Sequence, residues 1–282
     1  MESTGSQPPG GSPPAPSQPQ PQPQPQPARA RRQGALNAEV WSTGDFLDEY
    51  TGIELRPPEA ALLDAHPAEL AGSVLELGCG GGRVTRHLLG RARCVHALDL
   101  SPSMIAHCRD SYPRATFDVG DLSDLSRFQA GSFDAVVASF CVLDVLDDEA
   151  RRRTLDEIRR VLVAGGLLLA SSHNLAFAPR IPKPTAFTSR SPARIARMPM
   201  RVRNHSRLRH LQRVESDYAV LVDDAHDYSL LHYYIARDAQ ERQLADHGFA
   251  LLECLDLDGS PVGPGETAPD CPELHYAARR VG

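Results

Sequence analysis

The run Val74-Leu75-Glu76-Leu77-Gly78-Cys79-Gly80-Gly81-Gly82 constrains this chain more than any other stretch. Its first four residues read as a buried strand. Its glycines let the backbone bend tightly where a side chain would not fit, and the residues from Arg83 to Leu89 resume with a helical pattern. A second apolar run, Cys94 to Asp99, closes on a carboxylate 23 residues after Glu76. A strand, a glycine bend, a helix and a second strand ending in an acid form the unit that opens a nucleoside pocket at the mouth of a parallel sheet.

The rest of the centre keeps the same rhythm. Pro102 marks a helix start after the second strand, and short strands are predicted near 115–119, 133–139 and 167–171. Residues 147–162 carry Leu155, Ile158 and Leu162 on one helical stripe, and Gly165-Gly166 is read as the turn that ends that helix. Later, a strand is expected over 216–222 and a helix over 237–247 that stops at Gly248. Strands over 249–257 and 274–279, joined by a Gly/Pro-rich loop, read as an antiparallel hairpin at one sheet edge. Apolar strands separated by helices predict an α/β fold with a mostly parallel sheet covered on both faces.

The flanks differ. Residues 1–27 hold ten of the 24 prolines and a Pro-Gln repeat, a composition without a core-forming side chain, so 1–35 are expected to be an extended, disordered tail. Residues 36–282 are expected to be one domain. Trp41, Phe46 and Tyr50 recur at spacings that suit a helix pair closing the domain from its N-terminal side. Within the domain, 175–228 break the rhythm, and the 40 residues from Leu175 to Val214 carry ten Arg or Lys and no acid. Net charge is −6, which argues against a general nucleic-acid binder. The six cysteines show no CxxC pair and fit reduced thiols. With no basic-then-apolar leader and no run of about 20 apolar residues, a cytoplasmic protein without a membrane span is expected, as a monomer or homodimer.

The glycine pattern is wrong for a dinucleotide. A GxGxxG spacing from Gly78 would put its third glycine at Arg83, and Glu76, just before the bend, repels a diphosphate but suits a cationic amino group. Asp99 can accept both ribose hydroxyls. Leu100 and Met104 follow it, Met104 placed to pack on a purine face. Gly120-Asp121-Leu122 ends the third strand, where Asp121 can accept an exocyclic amine and Leu122 can cover the ring.

On these residues the chain resembles the class I, Rossmann-like S-adenosylmethionine-dependent methyltransferases, over about 62–279. The resemblance implies a three-layer sandwich around a seven-stranded, mostly parallel sheet with an antiparallel last strand. It implies S-adenosyl-L-methionine as the cofactor, held by Glu76, Gly78, Cys79, Gly80 and Gly82 at its methionine part, by Asp99 at its ribose and by Asp121 and Leu122 at its adenine. Phe140-Cys141-Val142-Leu143 matches the segment that lines the methyl-donor site, and Arg160 to Gly166 matches the turn before the fifth strand. Family members often carry a histidine at or near Asp144; this chain does not.

Methyl transfer from a sulfonium needs an aligned acceptor and exclusion of water, and only some acceptors need a base. His173 is the first candidate base and His232 the second. Asp144, Asn174, Tyr228, Tyr233, Trp41 and Tyr50 are candidates for contacts with the acceptor, Tyr228 and His232 on the supposition that a helix presents them on one face. No His/Cys/carboxylate set has persuasive metal spacing. The basic insertion sits where related enzymes place a substrate cap, and its cations can attract an anionic acceptor. An Asn/Asp-Pro-Pro-Tyr/Phe motif is absent after the fourth strand, where Ser139-Phe140-Cys141-Val142 stands instead, which disfavours nucleic-acid amines. A small-molecule N- or O-methyltransferase is therefore expected, with peptide, protein or RNA methylation, or a non-enzymatic cofactor-binding module, as alternatives.

Overall fold

A computed structural model of the chain describes residues 28–43, 46–185 and 195–282. The Pro-Gln repeat and Phe187 lie outside the described residues. The first helix, Ala28–Thr43, begins inside the stretch expected to be tail, and the burial of Gln33 and Asn37 shows why: their amides have partners in the domain.

The strands are β1 Ser73–Leu77, β2 Cys94–Asp99, β3 Thr116–Val119, β4 Phe133–Ala138, β5 Leu162–Asn174, β6 Arg213–Val214, β7 Tyr218–Leu221, β8 His232–Ile235, β9 Phe249–Leu255 and β10 Glu273–Arg280. The order β3-β2-β1-β4-β5 is parallel throughout, β10 lies antiparallel against β5, and β9 pairs with β10. This is the expected seven-stranded sheet, with the late hairpin at its edge. Three further strands follow where only one was expected: β6 and β7 lie within the basic insertion, and β8 lies just after it. β8 extends the C-terminal end of β5 in parallel, His173 opposite Tyr234, and β7 and β6 continue antiparallel from it.

Alternation along each strand builds two cores, because neighbouring side chains leave opposite faces of the sheet. Leu75, Leu77, Val136 and Leu168 pack with Leu155, Ile158 and Phe249 on one side. Val74, Val137, Leu167 and Leu169 pack with Leu62, Leu63 and Leu88 on the other. The helix Asp148–Val161 is capped by Asp147, whose Oδ1 accepts the Ala150 N–H at 2.9 Å. Gly165-Gly166 is not the turn expected before the fifth strand: β5 starts at Leu162, and the register jumps from Phe133 opposite Leu162 to Ala135 opposite Leu167. The glycines sit in a bulge inside a longer strand, with Gly165 at φ 75°. The helix after the glycine bend is a single turn, Thr85–Leu88. No helix among the described residues is long and apolar enough to cross a membrane.

Candidate active site

A cavity of about 420 Å³ opens at the C-terminal ends of β1, β2, β3 and β4, a position that parallel α/β sheets reserve for ligands. Its floor is the glycine bend. Gly78, Gly80 and Gly82 all have positive φ (64°, 51° and 84°), but their surroundings differ. A Cβ on Gly80 would meet nothing within 4 Å, whereas one on Gly78 would lie 2.2 Å from Val142 and one on Gly82 2.3 Å from the Tyr112 ring. Gly78, Cys79 and Gly80 line the cavity; Gly82 does not. Gly82 thus serves the packing of the bend rather than a ligand contact.

Two carboxylates face this floor. Glu76 is buried, accepts a hydrogen bond from the Thr85 hydroxyl at 2.5 Å, and its carboxyl is pushed by burial up to about 7. Asp99 accepts the Gly80 N–H at 2.8 Å on one oxygen and the Ser101 N–H at 2.9 Å on the other. Each oxygen retains a second lone pair, and burial raises this carboxyl above its ordinary range. Leu100, Met104, Gly120, Asp121 and Leu122 complete this end. Asp121 Oδ1 also closes a turn by accepting from the Ser123 N–H and hydroxyl at 2.8 and 2.7 Å.

Phe140 and Cys141 follow β4 with φ of 59° and 56°. Side chains rarely adopt this region, which costs of order 1–3 kcal/mol per residue. A hydrogen bond from Cys141 N to Ser171 Oγ at 2.8 Å holds the bend. The guanidinium carbons of Arg56 and Arg83 lie 4.5 and 4.8 Å from the Phe140 ring centre. Arg83 is clamped by both oxygens of buried Glu59, which also takes the Ser139 hydroxyl and the Arg56 N–H. Phe140 therefore reaches the cavity wall on a rigid support.

The other end of the cavity is built around His173 and His232, which both line it. His173 Nδ1 lies 2.7 Å from Asp144 Oδ2, and His232 Nδ1 lies 2.7 Å from Asp223 Oδ2. The two imidazoles stack, with centres 5.0 Å apart and planes 26° from parallel. Desolvation pulls His173 down, but the hydrogen bond and charge of Asp144 outweigh it and raise this imidazole above its ordinary value. Burial would raise Asp223; the His232 charge and hydrogen bond outweigh that and hold it well below the usual carboxylate range. Cys141, Asp144 and His173, and likewise His173, Asp223 and His232, each bring donor atoms within 4.8 Å of one another. Sequence spacing gave no hint of either group. In each group a carboxylate oxygen lies 2.7 Å from an imidazole Nδ1.

Four expected acceptor contacts are relocated. Asp144 is fully buried and off the cavity wall: Arg151 and Ser172 donate to its Oδ1 at 2.6 and 3.0 Å, and the His173 N–H donates to its Oδ2 at 2.7 Å. It orients His173. The Asn174 amide donates to the carbonyls of Thr267, Ala268 and Cys271 and anchors a loop. Tyr228 is buried and donates to the Pro182 carbonyl at 2.7 Å. Tyr233 is buried and donates to Asp148 at 2.6 Å. The supposed helix through His232 is strand β8, so His232 and Tyr234 share one face, and Tyr233 points to the other.

Trp41 and Tyr50 do line the cavity, with Phe46 and His226. His226 was not expected. It sits in a run, His226, Asp227 and Tyr228, with φ of 45°, 56° and 63°, and no propensity of these residues foretells three such positions in a row. Its Nε2 is 3.0 Å from the Tyr50 hydroxyl. The N-terminal helix that carries Trp41 is pinned by Asn37, which donates to the carbonyls of Val145 and Leu231 at 2.8 Å each and accepts the Leu231 N–H at 3.2 Å. Of the basic insertion's described cations, none lines the cavity.

Residues 74–166 match the family described as "Methyltransferase domain", the span that holds the glycine bend, Asp99, Asp121 and Phe140. Over this span the chain is similar to S-adenosylmethionine-dependent methyltransferases. Over 114 residues the chain is 39% identical to a probable S-adenosylmethionine-dependent methyltransferase of Mycobacterium tuberculosis, covering 40% of each chain. Over 111 residues it is 34% identical to a ubiquinone biosynthesis O-methyltransferase of Xanthomonas oryzae, covering 38% of this chain and 45% of that one. The chain thus spans less than half the length of these curated relatives. Among solved structures, the fold is similar to a Burkholderia thailandensis 1,6-didemethyltoxoflavin-N1-methyltransferase with bound 1,6-didemethyltoxoflavin and S-adenosylhomocysteine. That match has a TM-score of 0.60 and 18% identity, and it covers 93% of this chain and 94% of that one. At that identity the likeness is one of fold.

Proposed function

We propose that this chain transfers a methyl group from S-adenosylmethionine to an oxygen or nitrogen of a small molecule, with His173 as the general base. The observation that carries this reading is the Asp144–His173 pair, set on the wall of the same cavity whose floor is the glycine bend. The residues present fit the cofactor. Gly80 leaves open space where a side chain would stand. Glu76 would face the amino group, the spare lone pairs of Asp99 the ribose hydroxyls, and Met104, Asp121 and Leu122 the adenine. The cofactor supplies an electrophilic methyl on a sulfonium; the S–CH₃ bond breaks as the acceptor's O–CH₃ or N–CH₃ bond forms, leaving a neutral thioether.

The chain's own groups handle the proton. With Nδ1 held by Asp144, His173 keeps Nε2 for the cavity, and its raised basicity favours accepting the acceptor's O–H or N–H proton. The imidazolium so formed is stabilised by Asp144, which Arg151 and Ser172 hold in place. The positive charge lost from the sulfonium thus reappears on His173. Apolar walls exclude water and do not oppose a reaction that consumes charge at sulfur.

The test is product mass after incubation with labelled S-adenosylmethionine and a panel of phenols, N–H heterocycles, amines and carboxylates. One labelled methyl per product is expected, with His173→Ala lowering kcat by about 10²-fold and cofactor affinity retained. Cofactor binding with no turnover on any acceptor would reduce the chain to a binding module. Full activity of His173→Ala across pH would remove the base.

A further inference from the structure

We infer that the acceptor is a planar, uncharged aromatic ring that carries a hydroxyl or ring N–H, an inference that rests on the methyl-transfer reading above. Part of the cavity wall is aromatic. Trp41 meets Phe46, Tyr50 and His226 with ring centres 5.2, 5.9 and 5.0 Å apart, and Tyr50 meets Phe140 at 5.9 Å. All are partly exposed and all line the cavity, so ring edges and faces are presented there. His173 and His232, stacked on each other, line the same cavity. A cavity lined by aromatic rings rewards a flat π-surface, because stacked and edge contacts add to the gain from burial.

Charge selects as well. Among the described residues the cavity is lined by two cations, Arg83 and Arg153. Arg83 is paired with Glu59 and Arg153 with Glu149. The cavity also carries Glu76, Asp99, Asp121 and Asp147. A carboxylate or phosphate on the acceptor would enter a site with no unpaired cation among the described residues, at a desolvation cost. A phenol or N–H heterocycle enters neutral and surrenders its proton only at His173.

Trp41 is the chain's one tryptophan, so its emission reports on this wall directly. The probes are 2-naphthol, decahydro-2-naphthol and 2-naphthoate, titrated into the full chain with and without S-adenosylhomocysteine. Calorimetry with S-adenosylhomocysteine alone tests the methyl-transfer reading separately. The expected result is saturable quenching by 2-naphthol, with a Kd at least tenfold below those of the saturated alcohol and the carboxylate. Phe46→Leu should weaken 2-naphthol at least fivefold while S-adenosylhomocysteine binding holds. Equal affinity for the flat and saturated alcohols, tighter binding of 2-naphthoate, or no binding of 2-naphthol would overturn the inference, even if S-adenosylhomocysteine binds. Failure of S-adenosylhomocysteine to bind would remove the methyl-transfer reading and this inference with it.

Discussion

Single residues in this site carry conflicting demands. Glu76 is buried at the floor with its carboxyl pushed up to about 7, so near neutrality the ligand-free protein holds a mixture of acid and anion. An arriving ammonium group would draw it to the anion, and a buried charge would then have a partner. Glu76→Gln keeps an acceptor for Thr85 but removes that charge. It should weaken S-adenosylmethionine at least tenfold at pH 8 by calorimetry, as expected when a hydrogen bond between charged groups is lost, and raise the Tm of the ligand-free protein at the same pH. The glycines divide in the same way. Gly82→Ala forces a methyl against the Tyr112 ring and should lower unfolding stability by about 1–3 kcal/mol in urea titrations. Gly80→Ala meets open space; it should cost stability only about 1 kcal/mol, for its positive φ, yet abolish detectable cofactor binding. Equal stability losses in the two variants would mean that the bend does not separate packing from binding.

At the scale of elements, the acceptor wall depends on one helix staying docked. Asn37 gives the Ala28–Thr43 helix three hydrogen bonds to the domain, and Trp41 follows one turn later. Asn37→Ala leaves buried backbone groups of Leu231 without that partner, at about 1–3 kcal/mol per group. The expected outcome is faster amide exchange over 28–43, a red-shifted Trp41 emission and a raised KM for the acceptor, with the Kd of S-adenosylhomocysteine within twofold of the parent. Unchanged exchange would show the helix to be held elsewhere. Strand β8 is the other decisive element. Its pairing with the last two residues of β5 sets His232 beside His173, and the alternation of a strand sends Tyr233 away from the cavity.

For the whole molecule, stability and turnover oppose each other across neutral pH. The folded protein raises Glu76 from 4.5 to about 7 and raises His173 above 6.5. A raised group adds stability below its unfolded value and loses that contribution as pH climbs through its folded value. Ligand-free stability should therefore fall from about pH 5 to 8, where Glu76 ionises and His173 loses its proton. Methyl transfer as proposed above needs those same changes, an anionic Glu76 and a neutral His173. Glu273, held down to about 2 beside Arg56 and His275 against the pull of burial, loses its contribution only in acid, so it does not blur this window. Scanning calorimetry should show the ligand-free Tm dropping from pH 6 to 8 while kcat/KM rises, and S-adenosylhomocysteine should restore more Tm at pH 8 than at pH 6. A Tm that climbs together with activity would contradict both assignments.

The half of the cavity around the glycine bend was legible because it is local. A strand of alternating apolar residues, a bend that only glycines make easily, and an acid at the next strand end lie within 26 residues, from Val74 to Asp99, and short-range sterics and periodicity decide their geometry. The half around the histidines has no such locality. Trp41, Phe140, His173, Asp223, His226 and His232 come from separate segments, and what joins them is the β5–β8 pairing and two bends of non-glycine residues at positive φ. Both are long-range outcomes that no residue's own preference encodes. For that reason Asp144, Asn174, Tyr228 and Tyr233 looked like ligand contacts in sequence, while folding turned them into buried supports. His226, with no local signal at all, was brought to the wall by tertiary packing that outweighed the strain of its backbone.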